Sequence, residues 1–184
     1  MSLHDTARSY GTVSRVLHWT MTVLFAWQFG GMLLKDVLEK GPVKGFWLGT
    51  HSSVGALLLI LLMVRAIWEL SEMRHRPPYG TGFIGFAAKA GHLVLYGLML
   101  VIPTLALLRM FGSGKGARLF GIQFQAPDGK EIAWMTAPGN LLHGSLAWLL
   151  LALIIGHVVM VVVHRYAWGE NLLTRMAGKA AHVA

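Results

Sequence analysis

Nine histidines and no cysteine occur in the 184 residues. Without thiolate sulfur, c-type haem, iron–sulfur clusters, thiolate zinc and disulfides are excluded, so any cofactor is held by His, Met, carboxylate or carbonyl groups. Five of the histidines, His18, His51, His92, His143 and His157, lie inside or at the ends of long stretches that carry no Asp, Glu, Lys or Arg. Ionisable groups in such surroundings are costly and mark a pathway, a cofactor or a pair. One of them alone would be explained by an imidazole bonded to a backbone carbonyl; five together are not. Neutral imidazole offers two kinds of chemistry there, metal ligation and proton exchange near neutral pH.

The elements that position them follow from where charge is missing. Residues 16–34, 45–64, 90–108 and 132–164 are free of formal charge, runs of 19, 20, 19 and 33 residues in a chain that is 55% apolar. A helix of roughly 20 residues crosses the hydrocarbon of a bilayer. A water-soluble domain would show charged faces at helical or strand spacing, and these runs show none. The fold class expected is therefore an all-α membrane protein, a four-transmembrane-helix up-down-up-down bundle. The single membrane domain, 1–184, has helices at about 14–35, 46–70, 83–109 and 140–166 and a surface loop at 110–139. Arg8 and Arg15 precede the first run, but it is longer than a signal core and ends in Trp27-Gln28-Phe29 and Lys35-Asp36, so it reads as a retained helix. Pro77-Pro78 and Pro127-Asp128-Gly129 read as turns, and Pro103 as a kink.

The net charge of +8 sits in the breaks between runs rather than in a basic cluster, which favours anionic lipid headgroups over nucleic acid. Nine Lys and Arg fall on the side of the termini and seven on the other. That bias places both termini in the cytoplasm and makes the opposite face periplasmic.

Depth sorts the histidines into levels. His18 opens the first helix and His51 the second, so in antiparallel neighbours they lie near opposite faces. His143 and His157 are 14 residues apart on the fourth. That is about 21 Å along the axis and two heptads, which keeps both on nearly one face. His143 is level with His51, and His157 with His18. Two such pairs suit two b-type haems, with imidazole on both axial positions of each iron, so that all four histidines are iron ligands. Gly49, Ser52, Ser53, Gly55, Gly144, Ser145, Ala147 and Gly156 leave room around them, although small residues are routine at helix contacts. His92 is close to the His18–His157 level and could replace either ligand. With Lys89 one turn earlier, it is also a quinone-site candidate, whereas Lys89 by itself could simply snorkel. Arg65 could pair with a haem propionate, assist quinone binding or serve as an ordinary flanking charge. His164 lies at the membrane edge, and His4, His75 and His182 in polar segments.

Leu17-His18-Trp19, Thr50-His51-Ser52-Ser53-Val54-Gly55 with Arg65, Gly91-His92-Leu93-Val94-Leu95-Tyr96, Leu142-His143-Gly144, His157 and Glu170-Asn171-Leu172-Leu173-Thr174-Arg175-Met176 resemble the bacterial cytochrome b561 family over residues 10–178. The resemblance implies haem one between His18 and His157 and haem two between His51 and His143. It also implies a multi-pass protein of the inner membrane that exchanges electrons with ubiquinone. Some members of that family are superoxide:ubiquinone oxidoreductases. Tyr10-Gly11, Lys89 and the loop 112–131 depart from them.

The leading expectation is thus a di-haem b electron-transfer protein, with a small anionic donor such as superoxide, or a protein donor, at the periplasmic face. Seven basic and four acidic residues on that face could steer an anion. A haem b, quinone-reactive anchor subunit of a dehydrogenase or hydrogenase is the alternative, although no sizeable docking extension is present. A His-lined metal or proton transporter without haem is the third reading; it would want carboxylates at membrane depth, and the uncharged runs hold none. Apolar outer faces leave lipid and a second copy of the chain as further partners.

Overall fold

The computed structural model describes residues 2–177. His182 and Lys179 lie outside the described residues. The chain is mostly helical. Helices α1 (Thr12–Val37), α2 (Pro42–Glu72) and α3 (Gly82–Gly112) are followed by strands β1 (Ala117–Leu119) and β2 (Ile122–Gln125). Helices α4 (Ala133–Tyr166) and α5 (Leu172–Ala177) complete it. Backbone polar groups in hydrocarbon must be satisfied within the segment, which is why uncharged runs of this length fold as helices.

α2, α3 and α4 are each long and apolar enough to cross a membrane. α1 is not among them: His18, Trp19, Thr20, Thr22, Trp27 and Gln28 dilute its apolar character. Large apolar side chains lie exposed along the outer surfaces of the helices, Ile60, Ile67, Leu93, Trp148 and Val158 among them. That is the surface expected of helices that face lipid.

α1 packs on α2, α2 on α3 and α3 on α4. The small core lies where the first three meet: Met21, Leu58 and Leu62 are buried, with Phe25, Val54, Tyr96 and Met99 against them. Contact between α4 and the first two helices is sparse by comparison. The histidines of α1 and α2 are therefore separated from those of α4 by a looser seam.

Two expectations are corrected. The fourth helix begins at Ala133, not Asn140, and continues through Pro138. Proline this near a helix start removes a single ladder bond, and the packing compensates. Gly139 explains how: a Cβ there would fall 2.8 Å from the Leu105 carbonyl oxygen and from Arg109 Cβ, so glycine lets α4 close onto α3. The expected loop 110–139 is not a featureless surface segment either, since β1 and β2 form an antiparallel hairpin within it. Its turn residues Phe120 and Gly121 both have positive φ (54° and 80°), as a two-residue hairpin turn requires. The Phe120 N–H donates to Ser53 Oγ at 2.8 Å, and Ala117 and Leu119 are buried, which ties the hairpin to α2.

The Gly139 contact is open to a direct check. Gly139→Val is expected to destabilise the detergent-solubilised protein by about 1–3 kcal/mol, the usual cost of overpacking. Thermal unfolding should show a lowered midpoint, while the equivalent change at Gly97, which has open space around it, should do much less.

Candidate functional site: paired imidazoles and a buried guanidinium

His51 on α2 and His143 on α4 come together, with ring centroids 6.1 Å apart and planes at 79°. An imidazole nitrogen binds a first-row metal at about 2.0–2.1 Å, so two rings facing one metal have centroids about 6 Å apart. The His143 Nδ1–H donates to the Ile102 carbonyl at 3.2 Å, which leaves Nε2 as the free lone pair. His51 Nδ1 is buried and has no hydrogen-bond partner. Such a nitrogen is costly unless something binds there. Gly49 and Gly144, beside the two ligand positions, each have open space where a side chain would stand. The donor set, the spacing and the loose seam fit a planar metal macrocycle between α2 and α4.

The second level is arranged differently. His157 on α4 meets His92 on α3 edge to face, centroids 5.2 Å apart. The His92 Nδ1–H donates to the Ala88 carbonyl at 2.7 Å. His18 lies on α1 with Trp19 against its ring, and it is within electrostatic reach of His157, His92 and Arg65. The expected proximity of His92 to this level is thus seen, and its ring, rather than that of His18, touches His157. Lys89 is exposed on α3. His164 pairs with Glu170 at 3.1 Å near the end of α4.

Arg65 is not a flanking surface charge. It is 8% exposed, donates from Nε to the Tyr96 hydroxyl at 2.6 Å, and pairs through Nη2 with Glu69 at 3.0 Å. Glu69 also holds Arg76 at 3.2 Å. The uncharged runs hold no carboxylate, but α2 continues beyond its run and carries Glu69 beside this level. Tyr79, which belongs to none of the sequence motifs, lies against His92 with ring centroids 5.3 Å apart and planes tilted by 52°. Its place after Pro77-Pro78 was the available signal, because the turn brings it back toward the start of α3.

The N-terminal segment closes this end. Asp5 accepts from the Gly11 N–H at 2.8 Å and lies 3.7 Å from Arg76, while its own N–H donates to Glu72. Tyr10 lies under the Arg76 guanidinium. Among the described residues no three His, Asp or Glu side chains converge as a cage for a bare metal ion.

This fold and site are those of a helical membrane protein in which imidazoles from different helices meet, His51 with His143 and His92 with His157. The model of the prokaryotic cytochrome b561 family matches residues 9–179. Cytochrome b561 homolog 2 of Escherichia coli (strain K12) is 30% identical over 98% of this chain and 97% of its own. The probable superoxide oxidase CybB of Yersinia pestis is 22% identical, over 94% and 97%. The chain belongs to the prokaryotic cytochrome b561 family. It is accordingly a bacterial membrane electron-transfer protein, and the family implies haem b as its cofactor.

The closing N-terminal segment has a pH signature. Burial pushes the Tyr10 phenol above its ordinary value of 10.0, against the opposing pull of the Arg76 charge. A proton held more tightly in the folded state contributes stability that is fully present below the unfolded pKa and is lost as pH rises through the folded one. Stability should therefore fall above about pH 10. Tyr10→Phe should remove part of that alkaline loss, measured by thermal unfolding between neutral pH and pH 11.

Proposed function

We propose that this protein is a di-haem b electron-transfer protein of the inner membrane, in which four spanning helices carry one haem near each face and link a periplasmic donor to ubiquinone. The single observation that carries it is the His51–His143 pair, spaced as two axial ligands across the seam between α2 and α4. We assign haem two to this pair and haem one to His18 and His157. α1 serves as the fourth span, its lower hydropathy reflecting the polar residues it carries, of which His18, Trp27 and Gln28 are half-buried. The charge bias supports a cytoplasmic position for both termini.

Each haem, when bound, supplies reversible one-electron chemistry. His143 holds its tautomer through the Ile102 carbonyl and presents Nε2, and His51 presents the other imidazole of the pair from the facing helix. A haem held by two imidazoles would serve electron transfer rather than oxygen binding. Arg65 would pair with a haem propionate at the inner level. His92 is set by the Ala88 carbonyl so that Nε2 is free, and with Tyr79 and Lys89 it lies where a quinone carbonyl would be bonded and protonated during a two-electron, two-proton reduction. Basic residues of the outer face, including Lys115, Arg118 and Lys130, attract a small anionic donor. Superoxide has that chemistry, losing one electron to become dioxygen, and the resemblance to the Yersinia pestis protein supports it.

His92 offers a second ligand assignment, because its ring and not that of His18 touches His157. Haem counts in variants separate the two. Purified protein should carry two low-spin haems b. His51→Ala and His143→Ala should each remove the same one, and His18→Ala and His157→Ala the other. Loss of haem one in His92→Ala with retention in His18→Ala would move the ligand to α3, and a protein without haem would end the proposal. Stopped-flow reduction of the oxidised protein by superoxide, set against reduction by a quinol, tests the donor: rapid reduction by quinol alone would remove superoxide.

A further inference from the structure

Arg65 uses only part of its guanidinium. Nε donates to the Tyr96 hydroxyl and Nη2 pairs with Glu69, whereas Nη1 is buried and has no partner. The side chain is 9% exposed, so water does not satisfy that nitrogen. A buried cationic donor left unpaired is among the most expensive groups a fold can keep. The planar guanidinium presents its donors in fixed directions, so anchoring one edge aims the other. Two contacts do so here, and each anchor is held in turn. The Tyr96 hydroxyl also hydrogen-bonds Glu69, and the second oxygen of Glu69 is engaged by Arg76 at 3.2 Å. Arg76 lies over Tyr10 and 3.7 Å from Asp5. Arg65 is within electrostatic reach of both His18 and His157.

We propose that Tyr96 and Glu69 are positioning residues for Arg65, which lock its guanidinium so that the uncommitted Nη1 serves a haem propionate at the His18–His157 level. This rests on the di-haem reading above. A carboxylate is the acceptor that a desolvated guanidinium favours, because its opposite charge compensates the cation and its oxygens match the planar donor fork. The cation also sets the potential: positive charge near the iron favours the reduced, less positive state, so turning Arg65 away makes the haem harder to reduce. Tyr96 and Glu69 act through Arg65 and touch neither haem nor substrate.

The test is an equilibrium redox titration of quinone-free holoprotein that follows the two haems separately. Tyr96→Phe removes the acceptor of Arg65 Nε without altering charge. The midpoint of the haem assigned to His18 and His157 should move to a more negative value, with the other haem unmoved. Glu69→Asp keeps the charge and shortens the reach, and should shift the same haem in the same direction. Arg65→Gln should shift it further, and Tyr96→Phe should add nothing in that background. Should Arg65→Gln fail to assemble, Arg65→Lys keeps the charge but cannot fork, and takes its place.

Unchanged midpoints in Tyr96→Phe would overturn the proposal, as would the same shift from Tyr96→Phe with and without Arg65. A shift that emerges only when ubiquinone is added would assign Nη1 to the quinone and overturn the propionate contact. Failure of the di-haem reading is distinguishable, since it shows as a wrong haem count or a wrong pattern of loss among the histidine variants.

Discussion

A charge or an unpaired polar group transferred from water to hydrocarbon costs several kcal/mol unless it finds a partner. Every unusual feature of this chain is a response to that constraint. It empties long runs of formal charge, makes those runs helical so that the backbone satisfies itself, and leaves imidazole as the group within them that can ligate a metal or exchange a proton near neutral pH. Imidazole suits the setting because its neutral form still offers a lone pair on one nitrogen and a donor on the other. His143 and His92 spend the donor on backbone carbonyls, which fixes the lone pair.

The same constraint explains the inner end. Arg65, Glu69 and Arg76 lie close together, partly shielded from solvent, and none of them would be stable there alone. Tyr96 and Tyr10 add a hydroxyl and an aromatic face, and the N-terminal segment folds back so that Asp5 approaches Arg76. The network crosses from α2 to α3 and to the segment before α1. It thereby joins three parts of the chain at the level where His18, His92 and His157 gather.

Much of the architecture was legible in the residues. The uncharged runs announce α2, α3 and α4 because charge is so costly at depth, and the interval between His143 and His157 places them at two levels because helix rise is invariant. The start of α4 was not legible: Pro138-Gly139 is a common stop signal, and its accommodation depends on Gly139 meeting Leu105 and Arg109. Nor was the hairpin, whose strands are too short to show a periodicity and whose register depends on a turn at Phe120-Gly121 and an anchor at Ser53.

The sequence by itself determined that this is a helical membrane protein without thiol chemistry, that histidines stand at two depths, and that His51 and His143 share one of them. These follow from composition and from distances along one axis. Tertiary structure decided lateral questions, because helical periodicity places residues by height but leaves open which helix lies beside which. It set His92 rather than His18 against the His157 ring, and it withdrew Arg65 from the surface into a clamp of Tyr96 and Glu69. A flanking arginine and a buried one read alike along the chain; the difference is made by a hydroxyl 31 residues away on the next helix.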